Sequence, residues 1–260
     1  MSGARVGFVP TMGYLHAGHT SLMDIARPQC DQLVVSIFVN PLQFGPNEDL
    51  DVYPRDPEGD AEKCVAHGVD ALFLPEESSF YPDGFVSTVR VDRLTEGLCG
   101  AKRPGHFDGV TTVVARLFGL IRPDLAVFGT KDYQQIAVIR QMVSDLALGV
   151  EICPGPIVRD PDGLALSSRN RFLSKEARRR ALTLSACLRA IGDSGERDVA
   201  ALLDIGKAVL DVDRLDYLEI VDPVTLLPLG TVRDDAQALI AAFVGGTRLI
   251  DNLRISRGDT

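Results

Sequence analysis

The sequence lacks the signals of several large protein classes. Its 27 basic side chains are outnumbered by 36 acidic ones, giving a formal net charge of -9, whereas general nucleic-acid and membrane-surface binders usually carry a basic excess. No apolar run approaches the ~18 residues of a membrane-spanning helix, and nothing after Met1 resembles a secretion signal. We therefore expect a cytoplasmic protein with no nucleic-acid and no membrane partner.

Several familiar site patterns are also missing. The five cysteines are scattered, without a C-x-x-C pair or zinc-site spacing, and we interpret them as reduced. The chain has no G-x-x-x-x-G-K-[ST] phosphate loop, no G-x-G-x-x-G after a strand, no G-x-S-x-G and no H-E-x-x-H. These absences argue against the commonest classes of nucleotide-binding protein, against α/β-hydrolases and against zinc proteases.

What is present is an alternation of strand-like and helix-like runs. Buried-strand runs such as "RVGFVP", "LVVSIFV" and "LAVFG" alternate with helical patterns through the first 150 residues, and "STVRV" also has strand character. This alternation predicts an α/β fold with a Rossmann-like parallel sheet in residues 1–157. A polar loop and a basic helix follow Val158, and "LDYLEIV" and "ALIAAFVG" predict two last strands, so residues 158–260 are predicted to form a smaller C-terminal α/β domain.

Two of the four histidines, His16 and His19, come directly after the first predicted strand. In open parallel sheets, ligands sit beyond the carboxyl ends of the strands. A helix that starts there offers unpaired N–H groups and about half a positive charge to a phosphate. Because Gly18 removes side-chain bulk between the two imidazoles, we interpret "HAGH" as a nucleotide phosphate site.

Two further polar clusters follow strands: "NPLQF" after the second, and "GTKDYQQ" after "LAVF". Each residue alone is more simply a surface or capping residue, but their joint occurrence at ligand-facing strand ends indicates a site. H-x-G-H with a distant Ser/Arg loop resembles the two ATP signatures of the nucleotidyl-transferring Rossmann superfamily.

The chain also resembles one family in more detail. The stretches "PTMGYLHAGHTSL", "VVSIFVNPLQF", "YPRD", "RPGHFDGV", "FGTKDYQQ" and "DGLALSSRNRFL" occur in the order and with the gaps of pantoate-beta-alanine ligases, from about Arg5 to Asn252. The resemblance implies that the carboxylate of (R)-pantoate attacks the α-phosphate of ATP, releasing pyrophosphate and leaving pantoyl adenylate. The amine of beta-alanine then forms the amide bond of pantothenate and expels AMP. It also implies a homodimer.

The resemblance assigns roles to individual residues. His19 would be the proton donor, with His16 and Lys131 as further catalytic residues and Asp132 on the ribose. Gln43 and Gln135 would hold pantoate and beta-alanine, and the second domain would close over ATP. The implied ATP-binding residues are Met12, Gly13, Tyr14, Leu15, His16, Ala17, Gly18, His19, Gly129, Thr130, Lys131, Asp132, Val158, Leu166, Ser167, Ser168 and Arg169.

Three departures from the family pattern affect these expectations. Thr130 stands where the family has an acidic residue before the lysine, and Gly59 stands at a position that is often acidic. Mg²⁺ is expected with ATP, and Asp60 is the remaining candidate for contact with the metal. The family normally has some twenty more residues before the first strand, so either the start is misassigned or the fold is trimmed. If the natural chain is longer, we expect an uncovered edge on that strand here. An unshielded edge at "VVSIFV" would also favour dimerisation.

Two other functions remain open at this point. The same H-x-G-H chemistry serves nucleotidylyltransferases that move AMP onto a phosphorylated acceptor, although two amides suit a small hydroxy acid better than a phosphate. An inactive nucleotide-binding module is the other alternative. AMP formation that requires both pantoate and beta-alanine would separate all three.

Overall fold

The computed structural model describes residues 3–46 and 48–257. The chain divides into two compact units. The first comprises Met1–Glu96, Arg103–Thr130 and Gln135–Val158, and the second comprises Gly97–Lys102, Lys131–Gln134 and Arg159–Thr260. The two short segments of the second unit come from a part of the chain that the sequence assigned wholly to the first domain. None of the helices in the described ranges is long and apolar enough to cross a membrane.

The first unit is built on a five-stranded parallel sheet with the strand order β3-β2-β1-β4-β5. The predicted Rossmann-like sheet is therefore confirmed. Because the order reverses between β1 and β4, the carboxyl ends of these two strands flank the crevice where such sheets bind ligands. The strands are β1 (Val6–Thr11), β2 (Gln32–Ile37), β3 (Ala71–Phe73), β4 (Leu125–Gly129) and β5 (Glu151–Gly155).

Eight α-helices occur within the described residues. The predicted helices are present, together with two short ones that the sequence did not indicate, α3 and α4. The helices are α1 (Ala17–Ala26), α2 (Pro57–Ala66), α3 (Glu77–Phe80), α4 (Leu98–Lys102), α5 (His106–Ile121), α6 (Tyr133–Asp145), α7 (Lys175–Asp193) and α8 (Val199–Lys207).

Helix α1 packs against the sheet and fixes the position of its own first turn. Its buried side chains Leu22 and Met23 share one core with Val9 and Val127 of the sheet. At Gly155, a Cβ atom would lie 2.2 Å from Cδ2 of Leu22, so a larger residue there would force the Leu22 side chain to shift. The start of α1 is thereby held at the carboxyl edge of the sheet.

The second unit has a three-stranded antiparallel sheet of order β6-β7-β8, with β6 (Arg214–Val221), β7 (Asp235–Val244) and β8 (Thr247–Ser256). Apolar side chains of α7 and α8 form one core with β6, β7 and β8. The sequence predicted β6 and β7 but not β8. Gly245 and Gly246 connect β7 to β8 with φ angles of 58° and 76°, as a tight hairpin turn requires.

Two sequence expectations about strands are wrong. β1 pairs with β2 on one side and β4 on the other, and β2 lies between β1 and β3, so neither has an uncovered edge and the edge argument for a dimer loses its basis. The run "STVRV" belongs to no named strand. Side chains of α5 form hydrogen bonds with its backbone instead: Thr112 accepts from Val89 N at 2.9 Å, and Thr111 donates to Val89 O.

Candidate functional site

His16 and His19 form a reciprocal cap at the start of α1. Nδ1 of His16 accepts a hydrogen bond from the N–H of Gly18 at 3.1 Å, and Nδ1 of His19 accepts from the N–H of His16 at 3.3 Å. The two rings lie with centroids 4.1 Å apart. An Nδ1 atom that accepts a hydrogen bond carries no proton, so a neutral imidazole holds its proton on Nε2. Both rings are therefore Nε2–H donors at a helix N-terminus.

One buried carboxylate makes two hydrogen bonds to the loop before these histidines. Asp60 of α2 is 1% exposed, and its two oxygens accept from Tyr14 N at 2.7 Å and Leu15 N at 2.6 Å. Gly13 and Tyr14 have φ angles of 84° and 52°, a left-handed conformation that disfavours a residue such as Tyr. Asp60 thus offsets a strained turn.

This geometry argues against the metal role expected for Asp60. Each of its carboxylate oxygens already accepts a backbone N–H, and within residues 3–46 and 48–257 no group of three or more His, Cys, Asp or Glu side chains could hold a metal ion. At Gly59, the other departure from the family pattern, a Cβ atom would lie 2.3 Å from Oδ2 of Asp56. Asp56 caps α2 by accepting from Gly59 N at 3.2 Å.

Gln43 ends the short turn Pro41–Gln43 that follows β2. Its Oε1 accepts from Nδ2 of Asn40 at 3.0 Å, and its Nε2 donates to the sulfur of Met12 at 2.9 Å. Asn40 is 1% exposed and caps this turn through Leu42 N. Its Oδ1 also accepts from the hydroxyl of Tyr81 at 2.9 Å, whose pKa burial raises above its ordinary value. The sequence motif "NPLQF" contained Asn40, and asparagine before Pro is a helix-cap signal, but its role was not predicted.

The remaining predicted residues of the first unit follow β4 and β5. Gly129 ends β4 at the same sheet edge as the histidines, and Thr130 begins a short helical turn. Gln135 is half-buried in the first turn of α6, and Val158 is half-buried after β5. The structure thus brings His16 to His19 and Gln43 to Met12. Convergence of Gln135 with Gln43 stays a prediction.

In the second unit, one polar network links Lys131 to the C-terminal sheet. Asn252 of β8 donates to the backbone oxygen of Lys131 at 2.9 Å and accepts from Gln237 at 2.9 Å. The neighbouring Asp251 is buried and makes a bidentate pair with Arg159 at 2.6 and 2.8 Å. Such a two-bond pair fixes orientation as well as position. Asp132 is exposed.

The Ser/Arg loop begins a short helical turn over Ser168–Phe172. Ser167 caps this turn by accepting from Arg169 N at 3.3 Å, and Asn170 donates to the backbone oxygen of Ala165 at 3.0 Å. Lys131, Leu164, Ser167 and Asn170 line one small concave pocket of the second unit. The structure therefore gathers Lys131 and the loop around one pocket.

Comparison with known proteins decides what this arrangement is. The family model described as pantoate-beta-alanine ligase matches residues 1–254. The chain belongs to the pantoate-beta-alanine ligase family. Membership assigns the reaction class, an amide bond between the carboxyl group of pantoate and the amine of beta-alanine.

Individual members of the pantoate-beta-alanine ligase family are similar over nearly their whole length. Pantothenate synthetase 1 of Bradyrhizobium diazoefficiens is 54% identical over 97% of this chain and 91% of its own. The crystal structure of pantothenate synthetase from Thermus thermophilus superposes with a TM-score of 0.95 at 49% identity, covering 97% of this chain and 94% of that one. The Francisella tularensis ligase, solved in complex with beta-gamma ATP and beta-alanine, has a TM-score of 0.80 at 35% identity, covering 96% and 89%.

Proposed function

We propose that this protein condenses (R)-pantoate with beta-alanine at the expense of ATP, through a pantoyl adenylate. In the first step a carboxylate oxygen of pantoate bonds to the α-phosphorus and the bond to pyrophosphate breaks. In the second, the amine of beta-alanine bonds to the acyl carbon, loses a proton and expels AMP. The complex of the Francisella ligase with an ATP ligand and beta-alanine supports these substrates.

The observation that carries the proposal is the histidine cap. Two imidazoles with the proton on Nε2 stand at the N-terminus of α1, beside the point where the strand order of the sheet reverses. Donors fixed before the reaction stabilise charge that develops on a leaving group without reorganisation. We assign His19 as the donor to the departing pyrophosphate, with His16 beside it.

The other predicted residues complete the proposal. The loop Met12–Leu15 and the residues Gly129 and Thr130 after β4 would contact the nucleotide, and Gln43 with Gln135 would bind pantoate. In the second unit, Lys131 would bind a phosphate of ATP and Asp132 would contact its ribose. That unit, with Val158 and the loop Leu166–Arg169, would close over ATP. No covalent enzyme intermediate is needed, because positioning and charge stabilisation suffice for such transfers.

Mg²⁺ enters this proposal only as part of the nucleotide substrate. In the part of the chain that the structure describes, the side chains do not fit a protein-held ion: no group of three or more His, Cys, Asp or Glu could hold one, and Asp60 is committed to two backbone amides. The phosphates of ATP are themselves good ligands for Mg²⁺. We therefore propose MgATP as the substrate and assign no metal ligand to the protein.

One assay tests the proposal. The purified protein is given MgATP with pantoate, with beta-alanine, with both, or with a phosphorylated acceptor, and AMP, pyrophosphate and pantothenate are quantified. We expect sustained AMP formation only with both acids, and about one equivalent of pyrophosphate per active site with pantoate alone. Pyrophosphate release only with a phosphorylated acceptor would mean a nucleotidylyltransferase, and no turnover with any of these substrates would mean an inactive module.

We also propose a cytoplasmic homodimer. All five cysteines are free thiols, which suits a reducing compartment, and ATP is abundant there. The dimer rests on family resemblance. A monomer mass by light scattering at micromolar concentration would contradict it.

A further inference from the structure

The segment Arg103–Gly109, which contains the motif "RPGHFDG", has no role in the proposed function. It lies 60 residues beyond Gln43 in the chain. In the structure this segment, which we call the clamp, contacts the turn Pro41–Gln43 at three places. Two of them are side chains that reach the backbone oxygen of Gln43, and the third is a close backbone approach.

His106 makes the first contact. Its Nδ1 lies 2.8 Å from the backbone oxygen of Gln43, and its Nε2 lies 3.0 Å from Nη1 of Arg103. Because arginine only donates, Nε2 must accept and Nδ1 must carry the proton. The ring is therefore held as a neutral tautomer that donates to Gln43.

Arg103 makes the second contact, from Nη2 to the same oxygen at 3.2 Å. Its guanidinium also pairs with Glu48, through Nε to Oε1 at 2.7 Å and Nη2 to Oε2 at 2.5 Å. The Arg103 side chain is 14% exposed and that of Glu48 is 25% exposed. A bidentate pair that is largely removed from water keeps the guanidinium in one orientation.

Gly109 makes the third contact. A Cβ atom at this position would lie 2.2 Å from the backbone oxygen of Leu42 and 2.6 Å from the nitrogen of Gln43, so the first turns of α5 meet the turn backbone to backbone. Asn40 bridges this junction, since its Nδ2 donates both to Gly109 O at 3.1 Å and to Oε1 of Gln43 at 3.0 Å.

The result is a Gln43 side chain with a fixed amide orientation. Its oxygen accepts from Asn40, so its –NH₂ group points elsewhere, to the sulfur of Met12. A thioether is a weak acceptor, and a carboxylate or hydroxyl oxygen of a ligand would replace it favourably.

We propose that the clamp is a positioning element for the acid substrate: His106 and Arg103 fix the backbone of Gln43 so that its amide N–H donors meet an oxygen of a small hydroxy acid. This inference rests on the proposed role of Gln43 in binding pantoate. His106 and Arg103 act through Gln43 and are positioning residues.

The test compares two substitutions of one residue. Leu at position 106 removes the donor to Gln43, whereas the amide nitrogen of Asn can occupy the place of Nδ1. For His106→Leu we expect KM for pantoate to rise about tenfold, the equivalent of one buried hydrogen bond, with KM for ATP within about twofold of wild type. His106→Asn should restore KM for pantoate to within about threefold. His67→Leu, which removes an imidazole paired with Asp24 at the surface, is the matched control and should leave both KM values unchanged.

The outcomes separate this inference from the proposed function. A wild-type protein that makes no AMP from pantoate and beta-alanine overturns both. An active wild type with an unchanged KM for pantoate in His106→Leu, an equal rise in KM for ATP, or a failure of Asn to rescue overturns the inference alone. If His106→Leu does not melt cooperatively, His106→Asn is compared with His106→Gln, whose amide nitrogen lies at the Nε2 place. Equal KM values for that pair also overturn it.

Discussion

The turns that follow β1 and β2 are neighbours on one sheet edge, yet they are held in different ways. In the first, Met12–Leu15, one buried carboxylate, Asp60, accepts two backbone N–H groups, and Thr11 and Gln43 add one contact each. The second, Pro41–Gln43, is held from several sides by Asn40 and by the clamp. Because Asp60 supplies two of the contacts of the first turn, we expect that turn to be more sensitive than the second to one substitution.

The largest expected effect lies at the start of α1, directly after the first turn. His19→Ala should lower pantoate-dependent pyrophosphate release about 10²- to 10³-fold, the usual cost of one donor to transition-state charge. A half-buried histidine contributes little packing, so the fold should persist. His67→Ala serves as the control. Rates within tenfold of wild type, measured in single turnovers, would show that His19 is not the donor.

Asp60→Asn tests the carboxylate that supplies two contacts of the first turn. An amide has one acceptor oxygen where the carboxylate has two, so one buried N–H of Tyr14 or Leu15 loses its partner, at a cost of about 1–3 kcal/mol in the free energy of unfolding. Affinity for ATP should fall more than affinity for pantoate. Asp56→Asn is the matched control, because Asn caps helices as well as Asp does. Urea unfolding curves that superimpose for the two variants would mean that Asp60 does not stabilise the first turn.

Gln43→Ala tests the proposed binding of pantoate at the second turn. Removing the amide should leave a buried partner unsatisfied and weaken pantoate binding about 5- to 150-fold, with ATP affinity nearly unchanged. Gln141→Ala, at an exposed position of α6, controls for loss of an amide. Calorimetric titration of each ligand decides the matter. An equally large loss for ATP would place the acid site elsewhere.

The smallest expected effect concerns Glu48 and pH. Burial raises the pKa of this carboxyl, but hydrogen bonds and charge attraction from Arg103 outweigh burial and leave the pKa below its ordinary value. A lowered pKa in the folded state stabilises the protein above the unfolded pKa, and this contribution is lost as pH falls through the folded pKa. We expect wild type to lose up to about 1 kcal/mol more unfolding free energy than Glu48→Gln between about pH 6 and 3. Parallel pH profiles of the two proteins would contradict this.

Features that follow from local residue patterns could be predicted from the sequence. Buried β-branched runs and helical spacing indicated the parallel sheet, and a pair of histidines around a glycine indicated the start of α1. The sequence did not predict β8, because charged residues interrupt the run "TRLIDNLRIS" and hide its pairing with β7. "STVRV" has strand composition, but the hydroxyls of α5 satisfy its backbone, which local sequence cannot reveal.

In the candidate site, too, the features that the sequence did not predict depend on contacts between residues far apart in the chain. Asp60 was expected to contact metal because it stands beside Gly59, a position that is often acidic in the family. In the structure its two oxygens accept from Tyr14 and Leu15, in a loop that lies about 45 residues earlier in the chain. The motif that contains Arg103 and His106 was recognised without a function. Its target is a backbone oxygen, which carries no side-chain signature.

The central place of β1 also has a consequence for synthesis on the ribosome. The partner residues of β1 in β2 lie 26 residues further along the chain, whereas its other neighbour, β4, lies about 118 residues further along. At the ordinary rate of about 5–20 residues per second, the chain waits about 6 to 24 s between emergence of β1 and emergence of β4. Stalled nascent chains that end before Asp124 should therefore be cut readily by protease beside β1, and chains long enough for Gly155 to have left the ribosome should not. His16 and His19 are therefore made well before the sheet beside them is complete.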